Sequence, residues 1–246
     1  MRENKYDDKV FFEKYRNFPR SVKGLEAAGE WHELQRLLPD FAGRRVLDIG
    51  CGFGWHCRYA AEQGAALVVG TDISERMLAA ARDKTTSPLI TYRRVAMEDI
   101  EYPENTFDVV VSSLALHYTP DFEAVCRLVG RCLSVGGAFV FSVEHPIFTA
   151  AGAQDWAFGP DGEISHWPVD RYFEEGRRET IFLGERVFKY HRTVATYVET
   201  LLRSGFAIDH CVEPIPPEAM LAAMPELAVE LRRPMMLLLA ASKKGS

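Results

Sequence analysis

Between Arg44 and Val143 the apolar positions switch between two rhythms. Short strand-length runs, "RRVLDIG", "AALVVGTD", "LITYRRV", "FDVVVSSL" and "AFVFSV", alternate with stretches whose apolar residues recur at helical spacing. The spacing predicts a helix from Gly54 to Gln63, stopped at Gly64. A second helix, "ERMLAAARDK", has Ser74 as its cap, its acid early and its bases late. A third, "DFEAVCRLVGRCL", carries Phe122, Val125, Val129 and Cys132 on one stripe, and Gly136-Gly137 reads as the turn into the fifth strand. Upstream, residues 5–40 read as helical in two pieces. The second places Ala27, Trp31, Leu34 and Leu38 on one face and ends at Pro39. Downstream, "RTVATYVETLLRSGF" reads as a helix stopped by Gly205, and "AIDHCVEP" and "RPMMLLLAAS" as two more strands. Strands alternating with helices predict an α/β fold, a Rossmann-like parallel sheet with helices on both faces. In such sheets ligands sit at the carboxyl ends of the strands, beside the switch point.

The alternation stops at Pro146. From there to Tyr190 the chain reads as long, irregular and aromatic, with Phe148, Trp156, Trp167, Tyr172 and Phe182 among its rings. A stretch of this length between core elements is usually functional or has structure of its own. It leaves the fifth strand at the ligand end, so we expect a lid over the site; a packing embellishment is the plainer alternative. The expected organisation is one domain over residues 1–246. It comprises an N-terminal helical segment (1–40), a ligand-binding core (44–143), an insertion (145–191) and a C-terminal core (192–246).

Composition narrows the partners. The 29 basic and 35 acidic side chains give a formal charge of −6. That argues against nucleic acid, whose phosphates need a basic surface. The five cysteines form no CxxC and match no zinc spacing, so no metal is expected and they read as reduced, which makes the cytoplasm the default location. The start of the chain shows no apolar signal region, and "MMLLLAA" is too short to span a bilayer. Membrane attachment is therefore not expected, and the oligomeric state is left open.

The candidate chemistry lies in "VLDIGCGFGWH". A dinucleotide loop reads GxGxxG, with a pyrophosphate on the helix N-terminus. Here Gly50, Gly52 and Gly54 make GxGxG, and Asp48 stands two residues before the first glycine. A carboxylate there suits a cation better than a phosphate. Asp72 ends the second strand, where an acid can take both hydroxyls of a ribose. The combination asks for a nucleoside with a positive appendage and no phosphate.

"VLDIGCGFG", "VVGTDISERML", "YPENTFDVVVSSLALHY" and "VGRCLSVGGAFVFS" resemble, in order and spacing, the successive motifs of the class I S-adenosylmethionine-dependent methyltransferases. "YDDKVFFEKY" and "KYHRTVATYVETLLRSGF" are similar to the type-11 branch, whose members mostly methylate small molecules. The resemblance implies seven strands, the last antiparallel and inserted between strands five and six. It implies S-adenosyl-L-methionine as cofactor and a small-molecule methyl acceptor. Asp48 would then hold the methionine ammonium, directly or through water, and Gly50, Gly52 and Gly54 would let the loop lie against the cofactor. Asp72 would take the ribose hydroxyls, with Ile73 and Met77 on the adenine. The family's acidic position at the end of strand three is Ala96 here, so Met97 and Glu98 are expected at the adenine edge. Ser113 and Leu114 fall beside the methionine moiety. Plainer roles stand beside these: a helix cap for Asp48, a turn for Asp72, core for Met77 and tight packing for the glycines.

Methyl transfer from a sulfonium is a direct displacement, in which the protein aligns the reacting atoms. Some acceptors also need a general base, for which histidine is favoured near neutral pH. By chain position the candidates are His117 after strand four, His145 after strand five and His191, expected to start the helix after the insertion; Glu144 and Tyr172 are weaker ones. Three rival classes remain. A dehydrogenase lacks support from the glycine spacing. For a methyltransferase of RNA or DNA, "SSLA" stands where an NPPY-like tetrapeptide is expected. A non-catalytic cofactor sensor on the same fold is the third.

Overall fold

A computed structural model describes residues 4–245, so the first three residues of the N-terminal segment and the last residue of the chain lie outside the described residues. Three short helices come first: α1 (Lys9–Arg16), α2 (Pro19–Lys23) and α3 (Trp31–Leu37). The core follows as β1 (Arg45–Ile49), α4 (Trp55–Glu62), β2 (Leu67–Asp72), α5 (Glu75–Asp83), β3 (Ile90–Arg94), β4 (Phe107–Ser113), α6 (Phe122–Cys132) and β5 (Leu133–Glu144). The insertion holds α7 (Pro146–Thr149) and two antiparallel hairpins, β6 (Ala157–Phe158) with β7 (Ile164–His166) and β8 (Gly176–Phe182) with β9 (Glu185–His191). The chain closes with α8 (Val194–Arg203), β10 (Phe206–Val212), α9 (Glu218–Ala223) and β11 (Met236–Lys243).

Seven strands form one sheet in the order β10-β11-β5-β4-β1-β2-β3. β11 runs antiparallel to both β5 and β10, and the pairs among β1 to β5 are parallel. This is the expected topology, with the last strand inserted beside the fifth. Both faces are covered. Leu47, Ile49, Phe139 and Phe141 pack with Val125 and Val129 of α6 and Tyr197 and Leu201 of α8. On the other face Val46 and Val68 pack with Cys57 and Ala60 of α4 and Leu78 of α5. Strands buried on both sides explain why they read as continuous apolar runs.

Four local expectations change. Gly136 and Gly137 do not precede the fifth strand: β5 runs through them, and its pairing with β4 shifts register between Phe107 and Val109. The glycines therefore lie in an irregular stretch inside the strand, where β5 carries extra residues relative to β4. The segment 24–38 is not one helix. A 3-10 turn covers Gly24–Ala27 and α3 starts at Trp31, with Glu30 at its N-cap position and in a buried ion pair with Arg20. The insertion is ordered by hairpins: Leu183 and Gly184 both have positive φ, as a two-residue type I′ turn requires. His191 consequently ends β9, and α8 begins at Val194 with Thr193 as its cap, its hydroxyl accepting from the Thr196 amide.

Gly54 joins the loop after β1 to α4. Its φ is +71°, and a Cβ there would lie 2.1 Å from the Tyr92 hydroxyl oxygen. That hydroxyl is held 2.9 Å from Thr85 Oγ1. Gly54→Ala should combine backbone strain with overpacking and cost about 1–3 kcal/mol. In a chain of this size that lowers Tm by roughly 2–4 °C per kcal/mol. Thermal unfolding checks it, and an unchanged Tm would show that Tyr92 moves aside freely.

Candidate active site

The carboxyl ends of β1, β2, β4 and β5 open into a cavity of about 1230 Å³. Strand order reverses at β1, with β2 on one side and β4 on the other, so the cavity sits where this fold places ligands. Sites for a single small ligand are roughly 300–1,000 Å³. The cavity therefore has room for two partners.

One wall carries most of the residues expected to bind the nucleoside: Gly50, Gly52, Asp72, Ile73, Met77, Met97, Glu98, Ser113 and Leu114. Asp72 Oδ2 accepts from the Gly52 amide at 2.9 Å, and Oδ1 accepts from the Ser74 amide at 2.8 Å. Burial pushes its carboxyl up to about 6. A Cβ at Gly52 would meet nothing within 4 Å, so its bare backbone forms the cavity surface. At Gly50 a Cβ would come 2.4 Å from that of Ala115, so the loop rests directly on the turn after β4. Gly54 lies off the wall, packed against Tyr92. Met97 and Glu98 lie on a 3-10 turn, Met97–Asp99, after Ala96, two residues beyond the end of β3. Leu114 holds a left-handed φ of +51°, a strained conformation of a kind that clusters at ligand sites.

Asp48 is on neither wall of the cavity. It is 1% exposed, behind the glycine loop, where the Cys57 thiol donates to its Oδ2 at 3.2 Å. Burial, helped by the Asp72 charge, raises its carboxyl to about 7. Any effect on a ligand is therefore exerted through the loop.

The opposite side is aromatic. Phe182, from the β8–β9 hairpin, has its ring centroid 6.0 Å from that of Phe18 and 6.4 Å from that of Tyr15. The insertion and the N-terminal segment thus meet over the cavity. Sequence reasoning gave the cover to the insertion alone; the run "YDDKVFFEKYRNF", dense in rings, was the signal for the other half. Residues 214–236 also line this side through Met220, Met224 and Met236, a contribution the sequence reading missed.

Between the two halves lies a polar cluster. Lys189 Nζ is 2.5 Å from Glu144 Oε1, and Gln154 Nε2 donates to Glu144 Oε2 at 2.6 Å. Burial pushes the Glu144 carboxyl up, but the Lys189 ammonium outweighs it and holds the group below its usual range. His117 stands beside them, its Nδ1 accepting a long bond (3.4 Å) from the Glu144 amide. Burial lowers its pKa to about 4, so it is neutral at physiological pH.

The other two histidines are placed differently from expectation. His145 caps α7 by accepting the Ile147 amide on Nδ1 (3.0 Å), while Nε2 pairs with Glu213 at 2.8 Å. His191 engages Thr149 Oγ1 (2.7 Å) and the Tyr172 carbonyl (2.9 Å). Both rings are buried, and neither reaches the cavity wall; among the described residues His117 is the one histidine that does. The Tyr172 hydroxyl accepts the Val194 amide at 3.2 Å at the start of α8.

Residues 47–141 match the type-11 family model, described as a methyltransferase domain. The chain is 56% identical to a solved candidate S-adenosylmethionine dependent methyltransferase from Listeria monocytogenes (TM-score 0.86, covering 90% of this chain and all 100% of that one). It is 49% identical to a solved S-adenosylmethionine dependent methyltransferase from Mesorhizobium loti (TM-score 0.84, 89% of this chain and 100% of that one). It is also 30% identical over 181 residues to N-demethylindolmycin N-methyltransferase from Streptomyces griseus, covering 70% of this chain and 73% of the relative. With the glycine loop, the acid at the end of β2 and the seven-stranded topology in place, the chain belongs to the class I S-adenosylmethionine-dependent methyltransferases.

Proposed function

We propose that the chain, working as one domain, methylates a small molecule that enters the aromatic half of the cavity. The observation that carries this reading is the cavity itself: a nucleoside wall and an aromatic wall share one space, covered from above by the N-terminal segment and the β8–β9 hairpin. A covered, aromatic- and methionine-lined space suits a compact acceptor better than a nucleic acid. The net charge of −6 points the same way. The Streptomyces griseus relative is named for N-methylation of demethylindolmycin. Among the described residues no helix is long and apolar enough to cross a membrane, and the cytoplasm is the setting this reading assigns.

The cofactor supplies an activated methyl group on a sulfonium. On this reading Asp72 holds the ribose through the lone pairs left free by the Gly52 and Ser74 amides. Ile73, Met77 and Met97 sandwich the adenine, with Glu98 at its edge. Gly50 and Gly52 let the backbone lie against the 5′ substituent, which Ser113 and Leu114 meet from β4. Asp48 acts from behind the loop, where its buried carboxylate lacks a countercharge that a cation would provide. His117 takes the acceptor side: it orients the reacting atom and receives its proton where the acceptor has one to lose. Alignment is the main contribution, since displacement at a methyl carbon gains most from orientation.

Titration calorimetry should show binding of both adenosylmethionine and adenosylhomocysteine, and a labelled-methyl screen should find an acceptor among small molecules. Binding without transfer to any acceptor would instead indicate a sensor. A second expectation concerns pH. The ionised Asp72 is the form that accepts two hydroxyls, and its pKa is raised to about 6 in the folded chain. Affinity for adenosylhomocysteine should therefore weaken as pH falls from about 8 to about 5. Asp72→Asn should cost roughly 2–4 kcal/mol of affinity at the upper pH and make the pH profile shallower. An unaltered profile would place the ribose elsewhere. A third concerns the histidines. His117→Ala should lower kcat on the identified acceptor by on the order of 10- to 100-fold. His145→Ala and His191→Ala should each cost about 1–3 kcal/mol of stability, by lost hydrogen bonds, with turnover at permissive temperature unchanged.

A further inference from the structure

Arg233 lies just before β11, the strand inserted beside β5, and so at the ligand end of the sheet, where Met236 pairs with Glu144. Its side chain is 5% exposed and is packed among three rings. The guanidinium carbon is 4.1 Å from the ring centroid of Trp167, 4.7 Å from that of Phe148 and 5.1 Å from that of Trp156. Phe148 and Trp167 are stacked at 11°, and Trp156 stands edge-on to Trp167. Trp167 is fixed by its indole Nε1, which donates to the Ile147 carbonyl at 3.0 Å. The α7 helix, the β6–β7 hairpin and the approach to β11 thus build one cage around one cation. Such packing holds a desolvated guanidinium by its faces and leaves its N–H edge to other partners.

That edge is incompletely bonded. Nη1 donates to Glu230 Oε2 at 2.6 Å, while Nε is buried without a hydrogen-bond partner. Buried polar groups are normally paired. A guanidinium has five N–H donors and no acceptor, so what the site lacks is an acceptor. The preceding residue shows what a structural role looks like here. Arg232 is exposed and gives its guanidinium to the Ile164 and Ser165 carbonyls of β7, at 3.2 and 2.5 Å, which pins this stretch to the hairpin. Arg233 is instead part of the wall of the main cavity.

That part of the wall is otherwise apolar. Residues 214–236 and α7 contribute Met220, Met224, Leu227 and Phe148, and the charged residues they bring to the cavity are Glu230 and Arg233. Lys189, which also lines the cavity, is paired with Glu144. An apolar wall with a buried arginine that has donors to spare suits an apolar molecule with an anionic end. The planar fork matches a carboxylate. Glu230 already offsets part of the charge, so one negative charge fits better than the nearly double charge of a phosphate.

We propose that Arg233 binds a carboxylate of the methyl acceptor, which makes the acceptor class an apolar monocarboxylic acid. The proposal rests on the methyltransferase reading of the cavity and deepens it. A carboxylate held by a guanidinium has its lone pairs engaged, so it serves as an anchor and the methyl goes to another atom of the molecule. His117 and Arg233 line the same cavity, so one acceptor can meet both.

The test is calorimetry on the chain saturated with adenosylhomocysteine. The probes are cinnamate, naphthoate and octanoate, each against its primary amide, with phenyl phosphate as a dianionic control. At least one carboxylate should bind about 10- to 100-fold more tightly than its amide, as expected for a charged hydrogen-bonded contact. Arg233→Met should remove that preference and leave amide affinity unchanged. Glu230→Gln takes away the competing charge, so it should tighten carboxylate binding roughly 2- to 10-fold, a gain that a merely structural ion pair would not give. Both variants should bind adenosylhomocysteine as the unmodified chain does, which also reports that they fold. No carboxylate preferred over its amide by the unmodified chain overturns the proposal, and this arm needs no variant. Equal weakening of acid and amide by Arg233→Met overturns it too, as does tighter binding of phenyl phosphate than of every carboxylate. Those results, with adenosylhomocysteine still bound, leave the methyltransferase reading intact. Failure of the unmodified chain to bind adenosylhomocysteine brings down that reading and the proposal with it.

Discussion

The bond from the Gly52 amide to the Asp72 carboxylate ties the end of β2 to the loop that follows β1. The parallel register of those strands, Asp48 opposite Gly70 and Ile49 opposite Thr71, brings two carboxyls to one end of the sheet. Both are buried, and no ion pair to either appears among the described residues. Burial therefore raises Asp72 to about 6 and Asp48 to about 7. Groups whose folded pKa lies above the unfolded value contribute stability only at low pH and lose it as pH rises through the folded pKa. Near neutrality the strand ends therefore carry two carboxyls that are costly to ionise. A ligand that brings positive charge and hydroxyl donors would relieve that cost, so the feature that weakens the fold is one that suits a cationic nucleoside.

The glycine-loop wall and the aromatic wall differ in how they are built. The first is made at strand ends, where sheet register and backbone hydrogen bonds place glycines and acids. The second is made of elements joined to the core by few regular hydrogen bonds: short N-terminal helices, two hairpins and the stretch around α9. Their contacts are ring against ring, as between Phe182 and the rings of Phe11, Tyr15 and Phe18. Aromatic packing is adaptable in detail yet excludes water. A wall fixed at strand ends facing a ring-lined wall that can vary in detail fits a fold reused across many substrates.

The legible part of the sequence was that first wall. Continuous apolar runs ending in Asp48, Asp72 and Ser113 gave strand, order and ligand end together. The Ser74 cap was readable because its hydroxyl bonds the Met77 amide three residues on, a purely local event. What chain position could not give was side-chain direction. His145 and His191 lie near the ligand end of the sheet, yet each spends both ring nitrogens on local structure. Asp48 was readable in principle. Side chains alternate along a strand, so Asp48 shares a face with Val46, toward α4 and Cys57, and not with the open edge. Glu30 was opaque for another reason. A charged residue inside a helix-like pattern reads as solvated, and only the tertiary approach of Arg20 reveals it as buried.

The β8–β9 hairpin shows how local turn chemistry reaches the cavity. The turn at Leu183-Gly184 fixes the register of β8 and β9, with Arg178 opposite Lys189 and Thr180 opposite Val187. Val187, Lys189 and His191 then fall on the buried face. Because side chains alternate with a period of two, a slip of one residue would turn all three outward. Lys189 would leave Glu144, and the Glu144 carboxyl would stand buried without its countercharge beside His117. That penalty, a buried charge stripped of its partner, costs far more than the ion pair gains in isolation. The pair is therefore better understood as fixing register than as adding stability. It couples a two-residue turn on the surface to the polar cluster that lines the cavity.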